Sequence, residues 1–225
     1  MSPILGWPSV PVRFTHYWPN INERSVHPAM NAFPAILGRT RLARVHSGFP
    51  ALLRQRPVLR FSPPAWSKLL YWQGQGATQI GAFGITLPDD PLLVTDVRLV
   101  RQNCAPDFLL IEEASVADYF NEQVILGRHP DHFARVWIRL QAGDQVLPNR
   151  TDEDTCRQCF GRTDWMVLCV LGRNDRTWAQ LRFHVGPGGF QPLTVSIDFR
   201  QPFAASDMPA WEREYRTQVI TEKPF

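Results

Sequence analysis

A chain of 225 residues is long enough for one large domain, or for one domain with an appendage. With 44% hydrophobic and 12% aromatic residues it can build a sizeable core, which excludes a wholly disordered protein. The net charge of +3 sums two unlike pieces: residues 1–57 hold seven arginines against one acid, Glu23, while the remaining 168 hold 17 basic and 20 acidic residues. Basic character therefore belongs to the leader and not to the body. Of the 24 basic residues only Lys68 and Lys223 are lysine, a bias that fits a GC-rich genome better than phosphate recognition. Four cysteines are too few for a disulfide scaffold and suit reduced thiols. The longest apolar runs, such as Trp165–Leu171, fall far short of the roughly 20 residues that a membrane helix needs. No apolar signal-peptide core follows the N-terminus. These features predict a soluble, cytoplasmic protein with no membrane partner.

The leader, residues 1–57, is rich in proline and arginine and sustains neither a period of two nor one of 3.6. It reads as an irregular or disordered extension, or as the product of a start codon placed ahead of Met30. A basic nucleic-acid or targeting arm is the alternative.

From Val58 the pattern changes. Ser62 with Pro63 reads as a helix N-cap followed by proline at the first helical position, opening an amphipathic helix over 65–72. Residues 79–86 (QIGAFGIT) and 92–101 read as strands. Ser115 with Asp118 three residues on predicts a capping box for a helix running to Gly127. Residues 133–140 (FARVWIRL) read as a strand. A helix follows from about Asp152, whose acids Asp152, Glu153 and Asp154 suit the positive end of a helix dipole. Trp165–Leu171 reads as a central strand buried on both faces. Residues 173–176 predict a turn, and 177–185 and 193–199 predict strands joined by the glycines of 186–189. Ser206 or Asp207 caps a last helix with Trp211, Tyr215 and Val219 on one face. Strands interleaved with helices predict an α/β domain over 58–225, a mixed sheet with helices on both sides.

The stretch from Gln79 to Asp152 carries the most specific pattern. QIGAFGI precedes WIRLQAGDQVLPNRTDEDT, in which Arg139 and Gln141 stand one residue apart at a strand end. Asn149 follows after seven residues and Asp152 after two more. This arrangement resembles the JAMM/MPN metallopeptidase family, in which an early-strand Glu is followed by His-x-His, seven residues, Ser, two residues and Asp. Further segments carry the resemblance across about 58–225, among them RFSPPAWSKLL, NEQVILGRHPDHFARVWI, TDEDTCRQCFGRTDW, RTWAQLRFHVGPGG and AWEREYR, which look like a bacterial branch of the family. It implies a three-layer mixed sheet of the MPN, or cytidine-deaminase-like, type.

In that family two imidazoles and a carboxylate hold Zn²⁺, the Glu takes the proton of the metal-bound water, and the Ser helps hold the tetrahedral intermediate. Here Gln79 stands for the Glu, Arg139 and Gln141 for the two His, and Asn149 for the Ser. Only Asp152 matches. Arginine brings charge of the wrong sign to a cation site, and glutamine has no basic oxygen. Zinc is therefore expected to be lost and no catalytic residue is assigned. An Arg139–Asp152 ion pair is expected in the old metal position, with Gln79 and Gln141 hydrogen-bonded around it.

The resemblance implies a pseudoenzyme that binds or scaffolds in a bacterial ubiquitin-like protein pathway. The expected partner is a ubiquitin-like protein, a catalytic JAMM-type subunit or a conjugation-pathway protein, with homo- or heterodimers among the arrangements. One alternative is an active zinc isopeptidase with ligands relocated to Asp152, His129, His132 or Cys156. The other is nucleic-acid binding through the leader. Cys156 and Cys159 form a lone C-x-x-C that reads as core packing, and His129 and His132 read as surface loop residues. His184 reads as exposed or hydrogen-bonded, and 186–189 as turn glycines. The adjacent Glu112 and Glu113 would point to opposite faces of a strand and carry no catalytic weight.

Overall fold

The computed structural model describes residues 56–221. The leader expectation falls on residues 1–55, outside the described residues. Ten strands and four helices follow in chain order. They are β1 (Val58–Phe61), α1 (Pro63–Gln73), β2 (Ile80–Leu87), β3 (Asp90–Leu99), β4 (Gln102–Cys104), β5 (Leu109–Ile111) and α2 (Glu113–Ile125). After a short 3-10 turn at Pro130–His132 come β6 (Val136–Leu140), α3 (Arg150–Phe160), β7 (Trp165–Leu171), β8 (Thr177–Phe183), β9 (Gly189–Ile197), α4 (Met208–Gln218) and β10 (Val219–Thr221).

The expected three-layer sheet is not what forms. Seven strands close into a barrel in the order β1-β3-β2-β6-β7-β8-β9, and β10-β4-β5 make a separate small sheet. Closure depends on β1, which pairs in parallel with β9 along its whole length and with β3 through Arg60 and Phe61. Without it β3 and β9 would be the two edges of an open sheet; with it neither edge remains unpaired. Four residues, VLRF, carry too little alternation to announce a strand, so the element that decides the architecture is the one sequence periodicity passes over.

Alternation then sorts the side chains. Leu59, Phe61, Ile80, Ala82, Val94, Leu99, Val136, Ile138, Leu140, Val167, Cys169 and Leu171 belong to one buried cluster, which Leu69 and Trp72 of α1 join. The opposite phase of β2 and β6 is buried too. There Phe83 contacts Tyr119 and Phe120 of α2, Trp137 of β6 and Phe160 of α3, with centroids 4.9–6.4 Å apart. Burial on both faces explains the near-continuous apolar runs of β2, β6 and β7.

The helix starts follow the chain closely, with one exception. Ser62 caps α1 by accepting from Ala65 N at 3.4 Å, and Asp207 caps α4 by accepting from Ala210 N at 3.0 Å. For α2 the expected Ser115 cap is displaced: the helix begins at Glu113, and Ser115 Oγ instead accepts from Arg101 N at 2.7 Å. Gly127, at φ +75, follows the end of that helix. Asn174 and Asp175, both left-handed, make the β7–β8 turn.

The barrel seam carries a charge network. Asp198 N continues the ladder to Phe61 O at 2.8 Å. Its carboxylate accepts from Arg200 Nε and Nη2 at 2.8 Å and from Arg60 Nη1 at 3.2 Å, while Arg60 also pairs with Asp90. The Arg200 hydrogen bonds, helped by the Arg60 guanidinium, hold the Asp198 carboxyl well below the usual carboxylate range. A depressed carboxylate stabilises the fold above its unfolded pKa and loses that contribution as pH falls through the folded value. Asp198→Asn is therefore expected to lower the melting temperature at pH 7, with the gap from the natural protein narrowing as pH falls from about 4 toward 2. Thermal melts of both proteins across that range check it; a gap independent of pH would contradict the assignment.

Candidate functional site

Gln79 sits one residue before β2 and Arg139 one residue before the end of β6; the β2–β6 register pairs Gly81 with Arg139. Gly81 has no side chain for a reason of space. A Cβ there would lie 2.4 Å from the Trp137 ring and 2.8 Å from Leu109 Cδ2. Its amide and carbonyl lie beyond the last β3 partner, and the buried Gln102 side chain satisfies both, accepting at 2.7 Å and donating at 2.8 Å. That anchors the β4–β5 hairpin beside Gln79, whose amide N donates to Ala105 O at 2.9 Å and whose Nε2 donates to Pro106 O at 3.0 Å.

Arg139 and Asp152 meet as expected. Arg139 Nη2 lies 3.0 Å from Asp152 Oδ2, both side chains 3% exposed. Arg139 Nη1 donates to Gln79 Oε1 at 3.2 Å, and Nη2 also reaches Leu147 O at 3.4 Å. Asn149 caps α3 in a reciprocal box: its Oδ1 accepts from Asp152 N at 2.9 Å, and its own N donates to Asp152 Oδ2 at 2.7 Å. Asp152 is thus both a helix-capping carboxylate and the counter-ion of Arg139.

Gln141 departs from expectation. Its backbone N donates to Leu171 O at 2.7 Å, but its Oε1 is buried without a hydrogen bond. Arg139 Nε is likewise buried and unpaired. Such groups each cost about 1–3 kcal/mol, so the cluster is incompletely satisfied. The carbonyls of Pro106 and Leu147 and the side chain of Gln102 were not visible as site components in the sequence. Backbone acceptors leave no residue-type signature, and Gln102 acts through a ladder position.

The electrostatics follow from burial. Desolvation pushes the Asp152 carboxyl above the usual range, although the Asn149 N–H and the Arg139 charge pull it back. Desolvation also lowers Arg139, against the attraction of Asp152. Both shifts disfavour the charged forms, so the pair exists because the fold imposes it and not because it is a cheap source of stability.

The arrangement does not fit zinc. A guanidinium fills the space between Gln79 and Asp152, and Asp152 is the one carboxylate there. Among the described residues no group of three or more His, Cys, Asp or Glu is placed to hold a metal ion. The relocated ligands of the alternative reading do not converge. His129 faces Asp131 at 3.3 Å, and its ring is 6.0 Å from that of His132. Cys156 is buried in α3, where burial pushes its thiol up to about 12. Cys159 is raised in the same way, and both thiols are free, as core packing requires. His184 Nδ1 donates to Thr163 O at 2.8 Å, and Gly186 and Gly188 take positive φ in the β8–β9 turn. Glu112 stands at the start of α2 and pairs with Arg101 at 3.2 Å.

No protein-family model matches the chain, and no curated protein matches it in sequence. Among the described residues no helix is long and apolar enough to cross a membrane.

Removing the counter-ion should be costly. Asp152→Ala leaves the Arg139 guanidinium buried and unpaired and deprives Asn149 of its capping partner, an expected loss of roughly 3–5 kcal/mol. Urea denaturation measures it, and unchanged stability would contradict the buried pair.

Proposed function

We propose that this chain is a non-catalytic relative of JAMM-type metallopeptidases that acts as a binding or scaffolding partner in a bacterial ubiquitin-like protein pathway. The observation that supports the reading is the spatial convergence of Gln79, Arg139, Asn149 and Asp152. These four residues are separated by up to 73 positions in sequence yet meet in one buried hydrogen-bonded cluster. Their spacing motivates the resemblance, and their chemistry opposes hydrolysis. The general-base position holds an amide whose oxygen accepts from Arg139. The cation position holds a cation that belongs to the protein. On this reading, a domain that keeps the spacing of these positions while the chemistry is replaced acts through its surface on partners: a ubiquitin-like protein, a catalytic JAMM-type subunit or a conjugation-pathway protein.

The test is zinc content of the purified full chain beside a variant carrying Gln79→Glu, Arg139→His, Gln141→His and Asn149→Ser. The expected result is no zinc in the natural protein and about one per chain in the folded variant. Stoichiometric zinc in the natural protein overturns the reading, and a folded variant that stays metal-free removes its structural support.

A further inference from the structure

A cleft of about 380 Å³ opens between α2 and α4, away from the Gln79–Arg139–Asp152 cluster, with the end of β3 as its floor. Its charged walls carry Arg98, Arg101, Glu112, Asp118, Glu122 and Glu214. Most of these charges are matched within the chain. Arg101 pairs with Glu112 at 3.2 Å, and Arg98 lies 3.1 Å from Asp96. Glu214 is consumed by the buried Lys68 at 2.8 Å and by Leu99 N at 2.9 Å. What remains is Asp118, which has no hydrogen bond or ion pair, and Glu122, which only feels the field of Arg98. The cleft therefore carries surplus negative charge, with Asp118 unpaired and Glu122 met only by the longer-range field of Arg98.

Those carboxylates are four residues apart on one face of α2, and Ile125 continues the same stripe at i+7. Ile125 is 85% exposed and is flanked by Val124 and Leu126, each at 57%. Beyond the residues that line the cleft, α2 thus ends in exposed aliphatic side chains, and residual negative charge on the same helix as exposed apolar surface suits a protein-docking surface. We infer that the α2–α4 cleft docks a basic segment of a partner polypeptide, a lysine or arginine side chain entering between Asp118 and Glu122 while an adjacent aliphatic side chain covers Ile125. Charge complementarity selects the occupant: an acidic segment would meet unpaired carboxylates, and a purely apolar one would bury them without partners. This inference does not depend on the reading of the Arg139 site, which the zinc measurement addresses separately.

The experiment uses the full chain and a fluorescein-labelled octapeptide with two lysines each followed by leucine, beside a peptide with glutamates in place of the lysines. Fluorescence anisotropy should show the lysine peptide binding and the glutamate peptide not. The Asp118→Asn/Glu122→Gln double variant should weaken binding by about tenfold or more. Ile125→Ser should weaken it by a smaller factor. A control with the same charge change at exposed Asp89 and Asp107, each to Asn, should leave affinity within about twofold. All these positions are solvent-exposed, and matching circular dichroism melts confirm that each variant is folded. No binding by about 1 mM peptide overturns the inference. So does equal loss in the control variant, or equal binding of the two peptides.

Discussion

Burying a guanidinium in a strand packed on both faces is the constraint around which the site is organised. β6 has no exposed phase: Val136, Ile138 and Leu140 enter the main core cluster, while Trp137 and Arg139 are covered from the other side. An arginine in such a strand must find acceptors within the protein, because water cannot reach it. Three chain segments converge to supply them. Gln79 comes from the entry to β2, the Leu147 carbonyl from the loop after β6, and Asp152 from the first turn of α3. Arg135, immediately before the same strand, solves the same problem differently, through Asp131 and the face of Trp165.

The barrel makes this convergence reproducible. Within the barrel the antiparallel β2–β6 register sets Gln79 diagonally across from Arg139. Gly81 leaves room for Trp137, and Gln102 locks the β4–β5 hairpin against the same strand. The result is a buried polar cluster in which the Arg139 guanidinium lies between Gln79 and Asp152, and the Asp152 carboxylate is committed to Arg139 and the Asn149 amide. Burial opposes the charged form of both ionic members, and the Gln79 side-chain oxygen is taken up by Arg139.

Much of this was legible from residue types. The Arg139–Asp152 pair follows from spacing and charge. The α1 and α4 caps follow from Ser62 and Asp207, and β7 from a run of seven apolar residues. Other features lay beyond the pattern. β1 is too short to show a period, and its pairing with two distant strands is a long-range event. Ser115 looked like a cap because its neighbours fit one, but it lies within α2 and its hydroxyl accepts from Arg101 N in the link from β3 to β4. Gln141 was expected to join the polar cluster, yet its backbone is committed to Leu171, and its side-chain oxygen finds no donor. The three-layer sheet implied by resemblance gave way to a closed barrel because resemblance in a motif does not specify how the first strand pairs.

The most direct test of the account is a double-mutant cycle between Arg139 and Asp152, using Arg139→Met and Asp152→Asn and reading stability by urea denaturation. Asn can still accept from the Asn149 amide, and Met fills the volume of the arginine stem, so the double variant removes both charges. The loss of a donor at Gln79 Oε1 and Leu147 O is shared with Arg139→Met alone and cancels in the cycle. The account predicts that the double variant is more stable than Arg139→Met alone or Asp152→Asn alone, with a coupling of about 2–3 kcal/mol. Additive losses would contradict it, because the two residues would then be buried independently and not as a pair.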